Sequence, residues 1–383
     1  MNPEFELMVN ILRIEKCNLD FSLKIPEKIN WEKWLELIQK HGVFSQIYVK
    51  IRKNRINIIP FEILNELKNL YLKNIANNLL ICSELSKFQK LLSDEGIRAL
   101  FFKGPVISTY AYNDYALRSY QDIDLIIDSK NFNKFYKYIK RNGFNILFKM
   151  GRALRYYWSF LGREYTVNKG RKIFDLHFRI QRGPEFFNLN KKLFEDVCEI
   201  GIENEKILCL SPEMSIIGIC INATKDGWTR FVYIADFVNI VRNRSDISWK
   251  KVISISKKMK IYSLLLITLS LSETFLELEI PKEIDSKDFL NIRIKSLCDK
   301  FSDNVQEGYI KKKNFSYKSL EIKSIDTFWG RFRYYLYYIF VPKMSDIETV
   351  NIPGFLFPAF ILLRPVFLLF RIGKLSGRGR GKK

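Results

Sequence analysis

The stretch from Ile97 to Asp128 constrains this chain most, because its side chains order themselves as strand, turn, short helix, polar loop and second strand. Ile97–Phe102 is a short continuous apolar run suited to a buried strand. Gly104 follows it and would let the backbone approach a phosphate closely, with Pro105 suited to the first helical position; taken alone, Gly-Pro reads as an ordinary turn. Further on, Asp122-Ile123-Asp124-Leu125-Ile126-Ile127 alternates acid and apolar residues. Side chains two apart on a strand share a face. Asp122 and Asp124 therefore project together, while Ile123 and Leu125 turn into the core.

Two carboxylates side by side repel and raise each other's pKa unless a cation sits between them. A hard divalent ion with oxygen ligands, most simply Mg²⁺, resolves that conflict. A second strand must supply a third acid, and Lys172–Phe178 offers one. There Ile173, Asp175 and His177 share one face, and Phe174, Leu176 and Phe178 share the other. Pairing of this strand beside Asp122–Ile127 would complete a three-carboxylate cluster, which can hold two metals about 3.5–4 Å apart. Lys103 and Arg118 could neutralise phosphates, with an ordinary surface role for each as the equal alternative. His177 could hydrogen-bond Asp175 or the substrate, and a structural histidine beside a strand acid is at least an equal reading. Trp228 and Asp236, near Arg230, read as a capped or salt-bridged packing pair, with a place in the acceptor site as the alternative.

At these residues the chain resembles the DNA polymerase β-type nucleotidyltransferase superfamily. More closely, it resembles the uncharacterised bacterial nucleotidyltransferase family with the pattern K-G … R … D-I-D-L followed by D-L-H. Lys103-Gly104, Arg118, Asp122-Ile123-Asp124-Leu125 and Asp175-Leu176-His177 carry that pattern. Trp31–Tyr48, the helix before Gly96, Asp226-Gly227-Trp228, Ala235-Asp236 and Arg364-Pro365 also look like family features. The resemblance implies an α+β fold: a small mixed sheet bears the acids and is flanked by N-terminal and C-terminal helical regions. It implies Mg²⁺-dependent transfer of a nucleoside monophosphate from an NTP to a hydroxyl, with pyrophosphate release. In that scheme Asp122, Asp124 and Asp175 are catalytic and hold two metals, one arriving with the triphosphate. Lys103, Gly104 and Arg118 bind the nucleotide. The wider superfamily usually has Gly-Ser or Gly-Gly where this chain has Gly104-Pro105, and the proline removes one N–H from the phosphate cradle.

The rest of the sequence frames this core. Trp31–Ile51 and Phe61–Leu92 repeat apolar residues at helical spacing, so residues 1–95 are expected to form a helical region. Residues 96–185 hold the α/β core. In it Ser129 is expected to cap a helix, and two β-rich runs, Tyr156–Val167 and Lys172–Ile180, to meet at a hairpin turn. Residues 186–345 are expected to be helical, with Ser211 as a cap, an amphipathic Trp228–Arg242, two runs in Trp249–Leu276 and a polar linker at Ser302–Ser324. Residues 346–383 form an apolar helix with a basic tail.

The six cysteines are scattered, with no C-x-x-C pair and no cleavable signal peptide ahead of them, and read as reduced thiols of a cytoplasmic protein. Two histidines exclude a His-rich metal site. The formal charge of +22 raises nucleic acid or an anionic membrane as partners. Ile352–Ile372 is about as long as a bilayer span, but Pro353, Pro358, Pro365 and Arg364 oppose one. A helix packed on the protein is the preferred reading, ahead of a monotopic surface helix and a true span. The leading function is transfer to a small molecule or a protein hydroxyl. The alternatives are an RNA-directed nucleotidyltransferase and a non-catalytic nucleotide-binding or membrane-associated partner protein.

Overall fold

The computed structural model describes residues 2–14, 28–115, 117–161, 164–170, 172–180, 193–307, 315–350 and 353–378. The N-terminal helices are α1 (Pro3–Arg13), α2 (Trp31–His41), α3 (Phe44–Lys53) and α4 (Phe61–Asp94). Gly42, left-handed at φ 72°, divides the periodic Trp31–Ile51 run into two helices. Gly96 likewise takes a positive φ after α4.

The core then alternates. It holds β1 (Ala99–Phe101), α5 (Gly104–Tyr112), β2 (Asp122–Ile127), α6 (Phe132–Arg141), β3 (Asn145–Ile146) and α7 (Arg152–Leu161). Strands β4 (Glu164–Lys169), β5 (Lys172–His177), β6 (Val197–Ile202) and β7 (Glu205–Leu210) follow. All seven strands make one mixed sheet in the order β3-β4-β5-β2-β1-β7-β6. β2 runs parallel to β5 and antiparallel to β1, and β1 runs parallel to β7. The β6–β7 hairpin thus adds a sheet edge where the sequence pattern suggests helices alone.

Helices then follow the sheet: α8 (Pro212–Lys225), α9 (Val232–Asn243), α10 (Trp249–Lys258), α11 (Tyr262–Leu276) and α12 (Ile292–Glu307). The last four are α13 (Phe315–Lys323), α14 (Phe328–Phe340), α15 (Met344–Val350) and α16 (Phe357–Arg378). One apolar core runs from Phe5 in α1 through the sheet to Phe357 in α16. On the sheet face away from the acids, Phe88 of α4 packs against Phe174 of β5 and Phe135 of α6.

Several elements differ from the sequence reading. The run Tyr156–Val167 is not all strand, because α7 extends to Leu161 and β4 starts at Glu164. Leu154 and Trp158, one helical turn apart, are buried together and decide the matter. Asp128, not Ser129, accepts the capping N–H, from Lys130 at 3.0 Å. Ser211 does cap α8, accepting from Met214 N. Trp228 sits before α9 with φ 58°. Within the expected linker at 302–324, α12 runs to Glu307 and α13 starts at Phe315, while residues 308–314 lie outside the described ones.

Candidate active site

The parallel register of β2 and β5 builds the acid cluster. Asp124 lies opposite Asp175, and Asp122 opposite Ile173. With the acids of both strands on one face, ligand oxygens of Asp122, Asp124 and Asp175 all come within 4.8 Å of one another. Ile123, Leu125, Phe174 and Leu176 are buried from the other face, which fixes which side chains face out. A slip of one residue would bury the acids.

The three carboxylates are not equivalent. Asp124 is buried, and the pull of burial on its pKa is upward. The Lys103 ammonium, 2.5 Å from Asp124 Oδ1, and His177 Nε2, 2.8 Å from the same oxygen, outweigh burial and hold the carboxyl below its ordinary range. A carboxylate only accepts, so His177 donates from Nε2–H. Asp122 goes the other way. Burial, with the charge of Asp124 beside it, pushes it up to about 6. Asp175 accepts a 2.6 Å hydrogen bond from Thr166 Oγ1 on β4. Negative charge thus exceeds the single ammonium that meets it, a donor set of hard oxygens that fits a divalent cation.

Lys103 is held at φ 60°, ψ −151° immediately before α5. A non-glycine residue there carries strain of about 1–3 kcal/mol, and such strain collects at functional sites. Gly104, at φ 27°, continues the turn, with Tyr120 and the Asp122 carbonyl 3.6–3.7 Å from where a Cβ would stand. The backbone therefore hooks from β1 into α5 so that Lys103 reaches across to β2.

Arg118 comes from the loop between α5 and β2, which α4 holds in place. Asn78 donates to the carbonyls of Tyr115 and Arg118, and Asn77 to that of Tyr120. The Arg118 Nε donates to Asp236 Oδ2 at 2.7 Å, and the Tyr112 hydroxyl donates to Asp236 Oδ1 at 2.9 Å. Asp236 on α9 is fully buried. Beside these groups opens a cavity of about 440 Å³ between the sheet and helices α8 and α9. Lys103, Gly104, Arg118, Asp122 and Asp124 line its sheet side, and Asn222, Lys225, Asp226, Arg230 and Tyr233 its helical side.

A family model described as "Uncharacterised nucleotidyltransferase" matches residues 27–277. The chain belongs to this family. The match takes in the N-terminal helices, the sheet, and α8 to α11. The crystal structure of an antigenic nucleotidyltransferase-like protein from Paracoccidioides brasiliensis is similar at 14% identity and a TM-score of 0.36, covering 55% of this chain and 96% of that one. No curated protein matches the chain.

The structure places the family pattern's residues together: Lys103, Gly104, Arg118, Asp122 and Asp124 on one cavity wall, and Asp175 on the next strand. His177 bonds Asp124 on the neighbouring strand, which parallel pairing brings alongside β5, and not Asp175, its alternation mate. Asp236 pairs with Arg118 instead of Arg230, and Trp228 is a core residue whose Nε1–H reaches Thr224. Asn222 and Lys225 line the cavity as well, without matching the pattern that marks its other wall. Their only signal is their place at the end of a helix just before Asp226-Gly227-Trp228.

Proposed function

We propose that the protein is a Mg²⁺-dependent nucleotidyltransferase that moves a nucleoside monophosphate from an NTP to a hydroxyl of a small molecule or protein. The convergence of Asp122, Asp124 and Asp175 beside a cavity rich in cations carries this reading. The three carboxylates are the metal ligands in it. Bound there, Mg²⁺ supplies charge neutralisation for the phosphates and lowers the proton affinity of the attacking hydroxyl.

The residues of the chain have separate tasks. Lys103 and Arg118 engage the triphosphate, and the start of α5 at Gly104 presents backbone N–H groups to it. The acceptor oxygen bonds to the α-phosphorus as the bond to the bridging oxygen breaks. Pyrophosphate leaves with the electron pair, and Asp175 takes the hydroxyl proton. His177 keeps Asp124 ionised and oriented. Buried Asp236 fixes the Arg118 guanidinium from behind.

Incubation with each α-labelled NTP, Mg²⁺ and a cell extract, resolved into protein, RNA and small molecules, tests this. Label is expected on protein or on a small molecule, and Asp122→Ala/Asp124→Ala should lower it at least about 10³-fold. Equal labelling by that variant would sink the proposal, and label confined to RNA would move the acceptor to nucleic acid.

A further inference from the structure

Helix α16 is turned inside out for a helix in water. Its buried side carries Arg364, 1% exposed, beside Phe357 and Phe360. Its outer side carries Leu362, Leu363, Val366 and Leu369, each at least 50% exposed. The arginine explains why the helix cannot simply roll over. Arg364 Nε donates to Asp346 Oδ2 at 2.8 Å, and Nη1 donates to the carbonyls of Tyr338 and Ile339. Rolling the apolar stripe inward would pull apart the buried charges of Arg364 and Asp346.

Helix α14, against which α16 packs, shows the same inversion in aromatic form. Phe328, Trp329, Phe332, Tyr335 and Ile339 are exposed and recur at helical spacing, while Gly330, Tyr334 and Tyr337 are buried. Tyr337 is pinned by its hydroxyl to the Leu161 carbonyl and Tyr334 to Glu321, so this helix is fixed in rotation too. Two neighbouring helices locked with apolar faces outward mark a surface that meets something apolar.

We infer that this surface seats on an anionic lipid bilayer, lying in the interface and not crossing it. No helix among the described residues is long and apolar enough to span a membrane. Between Thr349 and Lys383 there is no acid, and after Leu369 come Arg371, Lys374, Arg378, Arg380, Lys382 and Lys383. An apolar helical face followed by a basic segment, with Trp and Tyr on the neighbouring helix, is the make-up of an interfacial anchor. Charge decides against a second copy as the occupant, because each copy brings the same +22, whereas an anionic headgroup layer brings the opposite sign.

Vesicle co-sedimentation of the full chain tests this, with phosphatidylcholine alone against an equal mixture of phosphatidylcholine and phosphatidylglycerol. The protein is expected in the pellet with the mixture and at least about tenfold less bound to the neutral vesicles. Leu362→Ser/Leu363→Ser/Val366→Ser should weaken binding to the mixture about tenfold or more at unchanged circular dichroism. On the otherwise intact chain, anionic vesicles should blue-shift the tryptophan emission, and Trp329→Phe should abolish that shift. A wild-type chain that stays in the supernatant with both vesicles would overturn the inference. So would a concentration-dependent dimer that the triple serine variant dissolves, which assigns the surface to a second copy.

Discussion

At the scale of single residues, the site depends on holding three acids together with too little positive charge to balance them. Lys103 and His177 both reach the same oxygen of Asp124, so Asp122 bears more of the repulsion. Its folded pKa of about 6 stands above the ordinary 3.8. Between those values the native state keeps a proton that the unfolded chain has lost, so native stability falls as pH rises through the window and the loss is complete above it. Asp124, held below its ordinary value, acts in the opposite sense, and its contribution disappears only in stronger acid. Asp122→Asn should therefore stabilise the metal-free protein at pH 7 by about 1–3 kcal/mol and flatten its melting temperature between pH 4 and 6. Mg²⁺ should raise the melting temperature of the wild type and do much less for this variant. Calorimetry across pH, with and without Mg²⁺, checks both. An unchanged Mg²⁺ response in Asp122→Asn would remove Asp122 from the ligand set.

At the scale of elements, helices decide where the site's cations stand. α9 carries Asp236 and α4 carries Asn77 and Asn78, and between them they fix a loop with little regular structure of its own. The Arg118–Asp236 pair is buried, so breaking it from one side leaves an uncompensated charge. Asp236→Leu should cost about 3–5 kcal/mol of stability. Adding Arg118→Met should recover most of that loss while transfer stays low, a split that denaturant melts and labelling assays read separately. Recovery of activity along with stability would reduce Arg118 to a structural role. Sequence pattern made much of this scale legible: the long α4, the strand ahead of Gly104, and the alternation of acids on β2 and β5 follow from apolar spacing alone. It misplaced α7, where aromatic residues with high strand propensity are overridden by the burial of Leu154 and Trp158 one turn apart. It could not pair Arg118 with Asp236 either, since 118 residues separate them and only the packing of α9 on α5 brings them together.

At the scale of the whole molecule, the site is a seam. The sheet supplies the acids, and α8, α9 and the turn between them supply a facing wall that holds Lys225 and Arg230. The sequence alternation dictated the acid face of each strand, but nothing in it dictated that β2 and β5 run parallel with Asp124 opposite Asp175. That adjacency comes from the path of α6, β3, α7 and β4 between them, which carries the chain around so that β5 enters in the same direction as β2. In the proposed reading the carboxylates hold the metal while the helical wall adds phosphate contacts to those of Lys103 and Arg118, so the two can be probed separately. Lys225→Ala and Arg230→Ala remove cations from the helical wall and leave the carboxylates untouched. Each is expected to raise the KM for NTP about tenfold, the loss of one charge-assisted contact, with the Mg²⁺-induced rise in melting temperature kept. The double variant should raise KM by about the product of the two effects if the lysine and the arginine contact different phosphate oxygens. An unchanged KM in both single variants would place the triphosphate along the sheet wall alone, on Lys103 and Arg118, and leave the helical wall to the acceptor.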